Sequence, residues 1–364
     1  MERKTGCCAS QLFGCLCHFW RRCIFAVLSA GPVPNHIAFI MDGNRRYAKK
    51  RNLAEGDGHK AGFSALLSML RYCYELGVKY VTVYAFSIDN FKRQPKEVQS
   101  LMDLMREKIE ELLQKESIIN EYGIRLHFIG NLQLLTEPVR AAMEKAMKVT
   151  AHNNQRVLLL CVAYTSRDEI VHAVQESCKD KLNEVQSLKE GKISNGVISR
   201  IVEGSNRNGM HMVDQHSFRD YLNATNVFSG SSVLKGAKDA EHRDGFFVHT
   251  NQQQQNNGQE TEIISCNGVI DSSEERRNKQ GELSAIKLVD IEKNMYMAAA
   301  PDPDILIRTS GELRLSNFLL WQTSTCPLYA PAALWPEIGL WNLVWAVLSF
   351  QRHHSYLEKK KKQS

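Results

Sequence analysis

The chain has 364 residues, of which 43% are hydrophobic and 24% are charged, and its formal net charge is +6 at pH 7. This length and apolar content are sufficient for one large domain or two, with a substantial core. The small, scattered positive charge fits anionic substrates or an anionic membrane surface. The sequence has no zinc-finger spacing, RNA-binding aromatic signature or long basic stripe, which argues against nucleic-acid binding.

Residues 1–31 form a cysteine-rich, apolar leader. Its apolar run over residues 23–30 is shorter than the roughly 18 residues that a membrane span needs. Cysteines and arginines also interrupt the continuous apolar stretch that a cleaved signal peptide requires. The leader is therefore predicted either to anchor the protein at a membrane surface, with acylated cysteines, or to be a flexible segment.

Five apolar runs follow, and each ends on a polar residue or a glycine. HIAFIM precedes Asp42, VKYVTVYAF precedes Ser87, IRLHFI precedes Gly130, LLLCVAYTS precedes Arg167 and DILI precedes Arg308. Runs of four to eight apolar, often β-branched residues are typical of buried parallel strands that lead into functional loops. The pattern predicts an α/β fold with a central, mainly parallel sheet flanked by helices, whose strand ends gather the functional residues.

Apolar residues three and four positions apart predict helices between these runs. The spacing predicts helices over residues 58–76, 96–122, 136–151 and 167–190. The helix over 96–122 would be about 40 Å long, and its apolar stripe either packs in the core or lines a tunnel for a long apolar substrate. A short strand and an apolar helix are predicted near the C-terminus. Cys73 and Cys161, which lie in apolar surroundings, are expected to be reduced core residues.

The composition changes sharply over residues 205–281, where Asn, Gln, Ser, Gly and charged residues dominate. Such a segment cannot bury enough apolar surface to offset its ordering entropy. Because the strand-and-loop pattern resumes at Asp304, we predict a disordered insertion into a single domain over residues 32–354, with a second small domain as the alternative. Residues 355–364, which include four consecutive lysines, are predicted to be a basic, solvated tail, with attraction to anionic lipid as the secondary alternative.

The strongest chemical signal is Asp42, followed by Gly43, Asn44, Arg45 and Arg46. The carboxylate can hold Mg²⁺, the glycine lets the backbone approach a ligand, and N–H groups at a helix start can bind phosphate oxygens. Taken alone, a DGN sequence is also typical of an ordinary turn. Anion-binding residue types recur after the other strands, however, and that recurrence favours a functional site.

The recurring residues fall into two further groups. His59, Ser87, Asn90 and Arg93 follow in the first half of the chain, and Arg308, Arg314 and Ser316 lie around Gly311 in the second. The planar guanidinium suits bidentate contacts with phosphate, so two such groups suggest two diphosphate substrates. The sequence has no Walker loop, complete GxGxxG fingerprint, hydrolase elbow or DDxxD pair, which disfavours nucleotide, redox, hydrolase and helical prenyl synthase chemistry.

Five segments, taken in order, resemble the motifs of the cis-prenyltransferases: HIAFIMDGNRRYAKK, EGDGHKAG, VTVYAFSIDNFKRQPKEV, CVAYTSRDEI and PDILIRTSGELRLSNFLLWQ. The YTSRDEI and RTSGE segments are similar to those of eukaryotic dehydrodolichyl diphosphate synthases. The resemblance covers residues 34–354 apart from the insertion, and it implies a hydrophobic tunnel beside the sheet. It also implies chain elongation, in which an allylic diphosphate such as farnesyl diphosphate ionises, isopentenyl diphosphate attacks, and proton loss leaves a cis alkene.

The resemblance implies a role for each candidate residue. Asp42 matches the residue that binds magnesium and diphosphate, while Ser87 and Asn90 match residues placed beside the reacting carbons. The allylic diphosphate site is matched by Gly43, Asn44, Arg45, Arg46, His59 and Arg93. The isopentenyl diphosphate site is matched by Arg308, Arg314 and Ser316. The proton acceptor would be Asn90 or a substrate phosphate, and the implied cofactor is Mg²⁺.

Three positions depart from the bacterial pattern of this family. Pro327 stands where bacterial members carry a metal-binding Glu, Tyr47 replaces a Trp, and the sequence ends in KKKKQS without a terminal Arg-x-Gly. The last departure resembles catalytic subunits of eukaryotic heteromers, which implies weak activity without a Nogo-B receptor-like partner. It further implies dolichol synthesis at the cytosolic face of the endoplasmic reticulum membrane. A non-catalytic scaffolding subunit and a rubber-type or short-chain enzyme are the alternatives.

Overall fold

The computed structural model describes residues 19–114, 117–202 and 285–361. Residues 1–18 of the leader, the predicted insertion over 205–281 and residues 362–364 of the tail lie outside the described residues. The strands are β1 (His36–Ile40), β2 (Tyr80–Ser87), β3 (Ile124–Ile129), β4 (Arg156–Tyr164), β5 (Ile305–Arg308) and β6 (Leu328–Tyr329). They form one sheet in the order β3-β4-β2-β1-β5-β6, and every pairing is parallel. The predicted parallel sheet is confirmed.

Helices pack on both faces of this sheet. They are α1 (described over 19–28), α2 (Asn44–Lys50), α3 (Glu55–Leu76), α4 (Pro95–Leu112), α5 (Ile118–Glu121), α6 (Glu137–Val149), α7 (Ser166–Val202), α8 (Leu288–Lys293) and α9 (Leu340–Lys361). Strand β1 is buried along its whole length, as its uninterrupted apolar run requires between two layers of helices. Cys73 and Cys161 are buried free thiols, as predicted.

The prediction of a single helix over residues 96–122 is wrong. Helix α4 ends at Leu112 and has a length of about 27 Å, and the separate short helix α5 begins at Ile118. Ser117 adopts an extended backbone conformation, with φ −77° and ψ 158°, which turns the chain between the two helices. The turn places Ile118 and Ile119 in the core, where both are almost fully buried. Burial of these two side chains therefore accounts for the break.

Two helix ends also differ from prediction. Helix α7 starts at Ser166, close to the predicted residue 167, but extends to Val202 rather than to residue 190. Helix α9 extends to Lys361, so the described part of the predicted solvated tail is helical. Lysine is a good helix former, and Leu357 within this part is buried against the core. Residues 355–361 thus continue the preceding apolar helix.

A buried histidine in β1 should make stability depend on pH. His36 lies between Pro301 O (2.6 Å from Nδ1) and Thr82 Oγ1 (2.7 Å from Nε2). Burial lowers the pKa of His36 from 6.5 to about 4, against the opposing effects of the Pro301 carbonyl and Asp304. The unfolded chain therefore binds the extra proton first as the pH falls. Between pH 7.5 and pH 5 the free energy of unfolding should fall by about 2 kcal/mol from this group.

Denaturant unfolding at a series of pH values measures this effect. In a His36→Gln variant the free energy of unfolding should depend less on pH by this amount. The variant His152→Gln, at an exposed histidine, should keep the full pH dependence. The same slope in His36→Gln as in the unmodified chain would show that other groups are responsible.

Candidate functional site

The order of strands in the sheet brings distant parts of the sequence to one edge. Strand β1 lies between β2 and β5, and Ile40 is paired with both Tyr84 and Arg308. The carboxyl ends of β1 and β5 are therefore level with one another, and β2 continues past Tyr84 to Ser87 on the same edge. Residues that follow them meet at this edge, which is where open α/β sheets bind ligands.

Asp42, two residues beyond β1, lies at the centre of this edge. Its Oδ2 accepts a hydrogen bond from Arg308 Nη2 (2.8 Å), and its Oδ1 accepts one from Arg46 Nη2 (2.9 Å). Partial burial alone would raise the pKa of this carboxyl. The hydrogen bonds and charges of the two guanidinium groups outweigh that effect, so the pKa of Asp42 lies below its ordinary value. Asp42 is thus held as a carboxylate between two cations.

The main chain of Asp42 is fixed by residues that the sequence did not single out. Its carbonyl oxygen accepts hydrogen bonds from Thr309 Oγ1 (2.6 Å), Ser310 Oγ (2.9 Å) and the Trp335 amide (2.9 Å). Its own amide donates to Thr309 Oγ1. The Thr-Ser pair directly after Arg308 was the available signal, because hydroxyl side chains at a strand end commonly bind neighbouring loops. These contacts fix the position of the carboxylate relative to β5.

Arg308 is itself inside the protein rather than at the cavity surface. Its side chain is 4% exposed, and its guanidinium donates to Asp42, to Ser316 Oγ (2.7 Å) and to the Arg314 carbonyl. The backbone of Ser310 and Ser316 has positive φ values of 74° and 49°, a conformation that non-glycine residues adopt only when their surroundings enforce it. The residues predicted as a second phosphate pocket therefore form one network with Asp42.

A cavity of about 1000 Å³ opens beside Asp42. Its mouth is polar and includes several of the predicted site residues: Asp42, Gly43, Asn44, Arg45, Arg46, His59, Asn90, Arg93 and Arg314. Its deeper part is lined by apolar side chains of α3, α4 and the sheet, among them Phe63, Leu66, Leu101, Leu112, Phe128 and Leu160. The cavity thus joins a cationic mouth to an apolar interior.

Ser87, at the end of β2, and Asn90, just after it, form a local structure instead of projecting together into the cavity. Ser87 Oγ accepts from the Asp89 amide (3.2 Å), while Asn90 Oδ1 accepts from the Ser87 amide (2.9 Å). This reciprocal cap starts a short 3₁₀ helix, Ile88–Lys92. Asn90 and Arg93 line the cavity, whereas Ser87, like Arg308 and Ser316, does not. Arg93 Nη1 also pairs with Glu97 Oε1 at 2.7 Å.

A charged residue in the apolar part of the cavity was missed by the sequence reasoning. Lys108 of α4 lines the cavity, with its Nζ 5.4 Å from the centroid of the Phe63 ring. It also pairs with Glu111 (2.6 Å) and Glu107 (3.0 Å) on the outer side of the helix. Position 108 falls on the same helical face as Leu101, Met105 and Leu112, which was the signal available. The wall between α3 and α4 is therefore partly polar at this point.

The close approach of α2 to α3 depends on glycine. Gly43 precedes α2 with φ 116°, and a Cβ there would lie 2.8 Å from Ser310 Oγ. On α3, a Cβ at Gly62 would lie 2.2 Å from Asn44 Oδ1. We expect Gly62→Ala to displace Asn44 and to lower the free energy of unfolding by about 1–3 kcal/mol.

Gly56, near the start of the same helix, provides the matched control. A Cβ there would meet nothing within 4 Å, so Gly56→Ala should leave stability unchanged or raise it by about 0.5–1 kcal/mol. Guanidinium unfolding of the two variants measures the difference. Equal stabilities would contradict the tight packing of Asn44 against α3.

The chemistry of the site fits a divalent metal bound together with substrate. Among the described residues no cluster of three or more His, Cys, Asp or Glu side chains could hold a metal ion. Magnesium, however, commonly binds proteins through one or two carboxylates and takes its remaining ligands from substrate phosphates and water. Asp42 supplies one such carboxylate at the cavity mouth. Pro327, at the position of the bacterial metal-binding Glu, has no side-chain ligand to offer a metal. Its carbonyl oxygen accepts a hydrogen bond from the Leu306 amide (3.0 Å).

Over residues 19–114, 117–202 and 285–361, no helix is long and apolar enough to cross a bilayer.

Comparison with known sequences gives one family and many relatives. The family model for undecaprenyl diphosphate synthases, a prenyltransferase family, matches residues 40–223 and 247–357. Dehydrodolichyl diphosphate synthase 6 of Arabidopsis thaliana is 50% identical over 99% of this chain and 97% of its own. Rubber cis-polyprenyltransferase HRT2 of Hevea brasiliensis is 46% identical over 96% and 95%. The dehydrodolichyl diphosphate synthase complex subunit DHDDS of Homo sapiens is 35% identical over 93% and 74%.

A solved structure shares the fold. The lavandulyl diphosphate synthase of Lavandula x intermedia, determined in complex with dimethylallyl diphosphate, aligns with a TM-score of 0.53. The alignment covers 88% of this chain and 95% of that one, at 23% identity.

Proposed function

The chain belongs to the undecaprenyl diphosphate synthase family, the cis-prenyltransferases, and from this premise we propose its reaction, site residues and partners. It condenses isopentenyl diphosphate onto an allylic diphosphate such as farnesyl diphosphate, and repeated addition with cis geometry makes a long polyprenyl diphosphate for dolichol. The observation that carries this proposal is the cavity, whose cationic mouth suits a diphosphate and whose apolar interior suits an isoprenoid chain.

In this reaction the bond between the allylic carbon and its diphosphate breaks, and the double bond of isopentenyl diphosphate forms the new carbon–carbon bond. Negative charge develops on the leaving diphosphate as the bond breaks. Arg46 and Arg93, together with the exposed Arg45, lie at the cavity mouth and would stabilise that charge. Asn44 and His59 would hold diphosphate oxygens by hydrogen bonds. Arg314, which also lines the cavity, would bind isopentenyl diphosphate.

The proton lost after carbon–carbon bond formation needs an acceptor. Asn90 is a neutral amide, and its Oδ1 already accepts a hydrogen bond from the Ser87 amide. A substrate phosphate oxygen is a stronger base than a neutral amide. We therefore assign proton removal to the phosphate, and to Asn90, capped by Ser87, the role of orienting the reacting groups.

Mg²⁺ is the proposed cofactor, held by Asp42 and by the substrate diphosphate. When bound, the metal would neutralise charge on the leaving diphosphate. Arg308 and Arg46 keep Asp42 deprotonated and oriented toward the mouth. Arg308 and Ser316, which do not line the cavity, would act by positioning Asp42 and the Arg314 backbone.

A partner subunit is proposed to cover an apolar stripe on α7. Val171, Val174 and Leu182 are exposed along one face of this helix. Exposed Leu288 and Val289 belong to α8, which is joined to α7 by the Ser177 Oγ to Asp290 carbonyl hydrogen bond (2.9 Å). The human relative is named as a complex subunit. A Nogo-B receptor-like protein is the proposed partner, and the cytosolic face of the endoplasmic reticulum membrane is the proposed location.

Product class separates the main alternatives. Two of the relatives are named for dehydrodolichyl diphosphate and a third for rubber, so a rubber-type product is the second candidate. A scaffolding role is less well supported, because Asp42 and its arginines form a complete network beside an open cavity.

Incorporation of labelled isopentenyl diphosphate into organic-extractable product tests the proposal. Farnesyl diphosphate is supplied with Mg²⁺ or with a chelator, and with or without the partner. We expect product only with the metal, and much more with the partner. If the chelator left the product yield unchanged, the proposed metal site would be contradicted. If omitting the partner left the yield unchanged, the proposed heteromer would be contradicted.

A further inference from the structure

Helix α9 exposes a line of aromatic and basic residues. Trp341 and Trp345 are 63% and 58% exposed, although tryptophan is normally largely buried. Further exposed residues follow on the same helical face at spacings of three or four. This set, here called the α9 stripe, is Trp341, Trp345, Leu348, Arg352, Tyr356 and Lys359. Two exposed tryptophans one turn apart mark a surface that binds another molecule or a membrane.

The other side of α9 is anchored in the core. Leu343, Val347 and Phe350 are buried there. The exposure of the α9 stripe is therefore not a consequence of a detached helix. Its side chains project from a rigid part of the fold.

Helix α1 lies against α9 and also exposes apolar residues. Gln351 Nε2 donates to the carbonyl oxygens of Leu28 (2.7 Å) and Pro32 (3.2 Å), which joins the two helices. Phe19, Trp20 and Val27 of α1 are all more than half exposed. Two neighbouring helices thus both present tryptophan to the solvent.

We propose that the α9 stripe docks on the interface of an anionic lipid bilayer, with α1 contributing to the same contact. Tryptophan and tyrosine favour the membrane interface, where the ring is apolar and its polar edge stays hydrated. Arg352 and Lys359 complement anionic headgroups, and three more lysines follow Lys359 in the sequence. Neither Arg352 nor Lys359 forms an ion pair among the described residues. The inference rests on the proposed function, since the polyprenyl product partitions into membranes.

The exposed stripes on α7 and α9 differ in composition. The stripe on α7 has aliphatic residues without tryptophan, and it borders the ion pairs Lys179–Glu176 and Lys181–Glu184. The α9 stripe combines aromatic rings with cations instead. Aromatic rings beside cations are typical of helices that lie in a bilayer interface.

Co-sedimentation of the full chain with lipid vesicles tests the proposal. Phosphatidylcholine vesicles are compared with vesicles containing phosphatidylserine, in the absence of either diphosphate substrate. We expect preferential binding to the anionic vesicles. The variant Trp341→Gln/Trp345→Gln should bind at least about ten-fold more weakly to them, because it loses the interfacial rings. Arg352→Gln/Lys359→Gln should lose the preference for anionic lipid.

The variant Leu134→Gln/Val149→Gln, at two exposed apolar positions away from α1 and α9, is the matched control and should bind normally. Circular dichroism confirms folding of each variant. Unchanged binding of the tryptophan variant would overturn the proposal. A loss of self-association in size-exclusion chromatography, without a loss of vesicle binding, would overturn it in favour of a second copy. Incorporation activity in detergent should be unaffected, so failure of this proposal and failure of the enzymatic one are distinguishable.

Discussion

Replacing Asp42 with asparagine is expected to lower the rate of isopentenyl transfer about 10³-fold. Asn keeps the size of the side chain and one hydrogen-bond acceptor, but it removes the negative charge that would hold the metal. A loss of about 4 kcal/mol in transition-state stabilisation corresponds to this factor. The same change leaves the guanidinium of Arg308, which is buried, without its carboxylate partner. A lower melting temperature should therefore accompany the loss of activity.

Asp57→Asn is the matched control for this change. Asp57 lies on α3 and pairs with Lys60 at 3.3 Å, with both side chains about half exposed. Removal of an exposed pair has little effect on stability, and activity should stay within two-fold of the original. An Asp42→Asn protein that turned over at the control's rate, with the same dependence on Mg²⁺, would contradict the role of Asp42 in holding the metal.

Replacing Arg308 with lysine is expected to lower kcat about 10²-fold while changing the KM for isopentenyl diphosphate little. A lysine keeps the positive charge, but its one nitrogen cannot occupy both the position of Nη1, which contacts Ser316 and the Arg314 carbonyl, and that of Nη2, which contacts Asp42. The loss of these buried hydrogen bonds should also lower the free energy of unfolding by about 2–4 kcal/mol. Steady-state kinetics with each substrate varied, together with denaturant unfolding, measure both effects.

Arg314→Gln provides the contrasting variant. Arg314 lines the cavity and is 62% exposed, so its loss should raise the KM for isopentenyl diphosphate and leave stability nearly unchanged. Arg125→Lys, at an exposed position on β3, should affect neither quantity. If Arg308→Lys instead raised the KM for isopentenyl diphosphate with kcat and stability intact, Arg308 would be a direct ligand of that substrate.

The strands and their functional ends could be predicted because their signals are local. A parallel strand buried on both faces is mainly apolar, and a polar residue commonly marks its end, as at Asp42 and Arg308. The contact between these two residues was not predictable in the same way. They are 266 positions apart, and their proximity depends on β1 and β5 being neighbours in the sheet. The sequence pattern predicts strands but not their order.

The wrong prediction of a single helix over residues 96–122 has a similar physical origin. Residues 113–117 contain no glycine or proline, so no local signal marks the break after α4, which depends on burial of Ile118 and Ile119. Ser87 forms a local cap with Asp89 and Asn90, and the sequence does not decide whether a serine at a strand end caps a helix or contacts a ligand. Its placement beside the reacting carbons stays a prediction, whereas the break after α4 depends on tertiary packing that a short stretch of sequence does not show.

The geometry of the double bonds that the protein makes tests the proposed cis-prenyl elongation most directly. The chain is incubated with its partner, Mg²⁺, farnesyl diphosphate and ¹³C-labelled isopentenyl diphosphate, and the dephosphorylated product is examined by NMR. We expect cis geometry in every added unit, on a chain much longer than farnesyl. Trans units, or no elongation in any pairing while Asp42 and the cavity are intact, would contradict it.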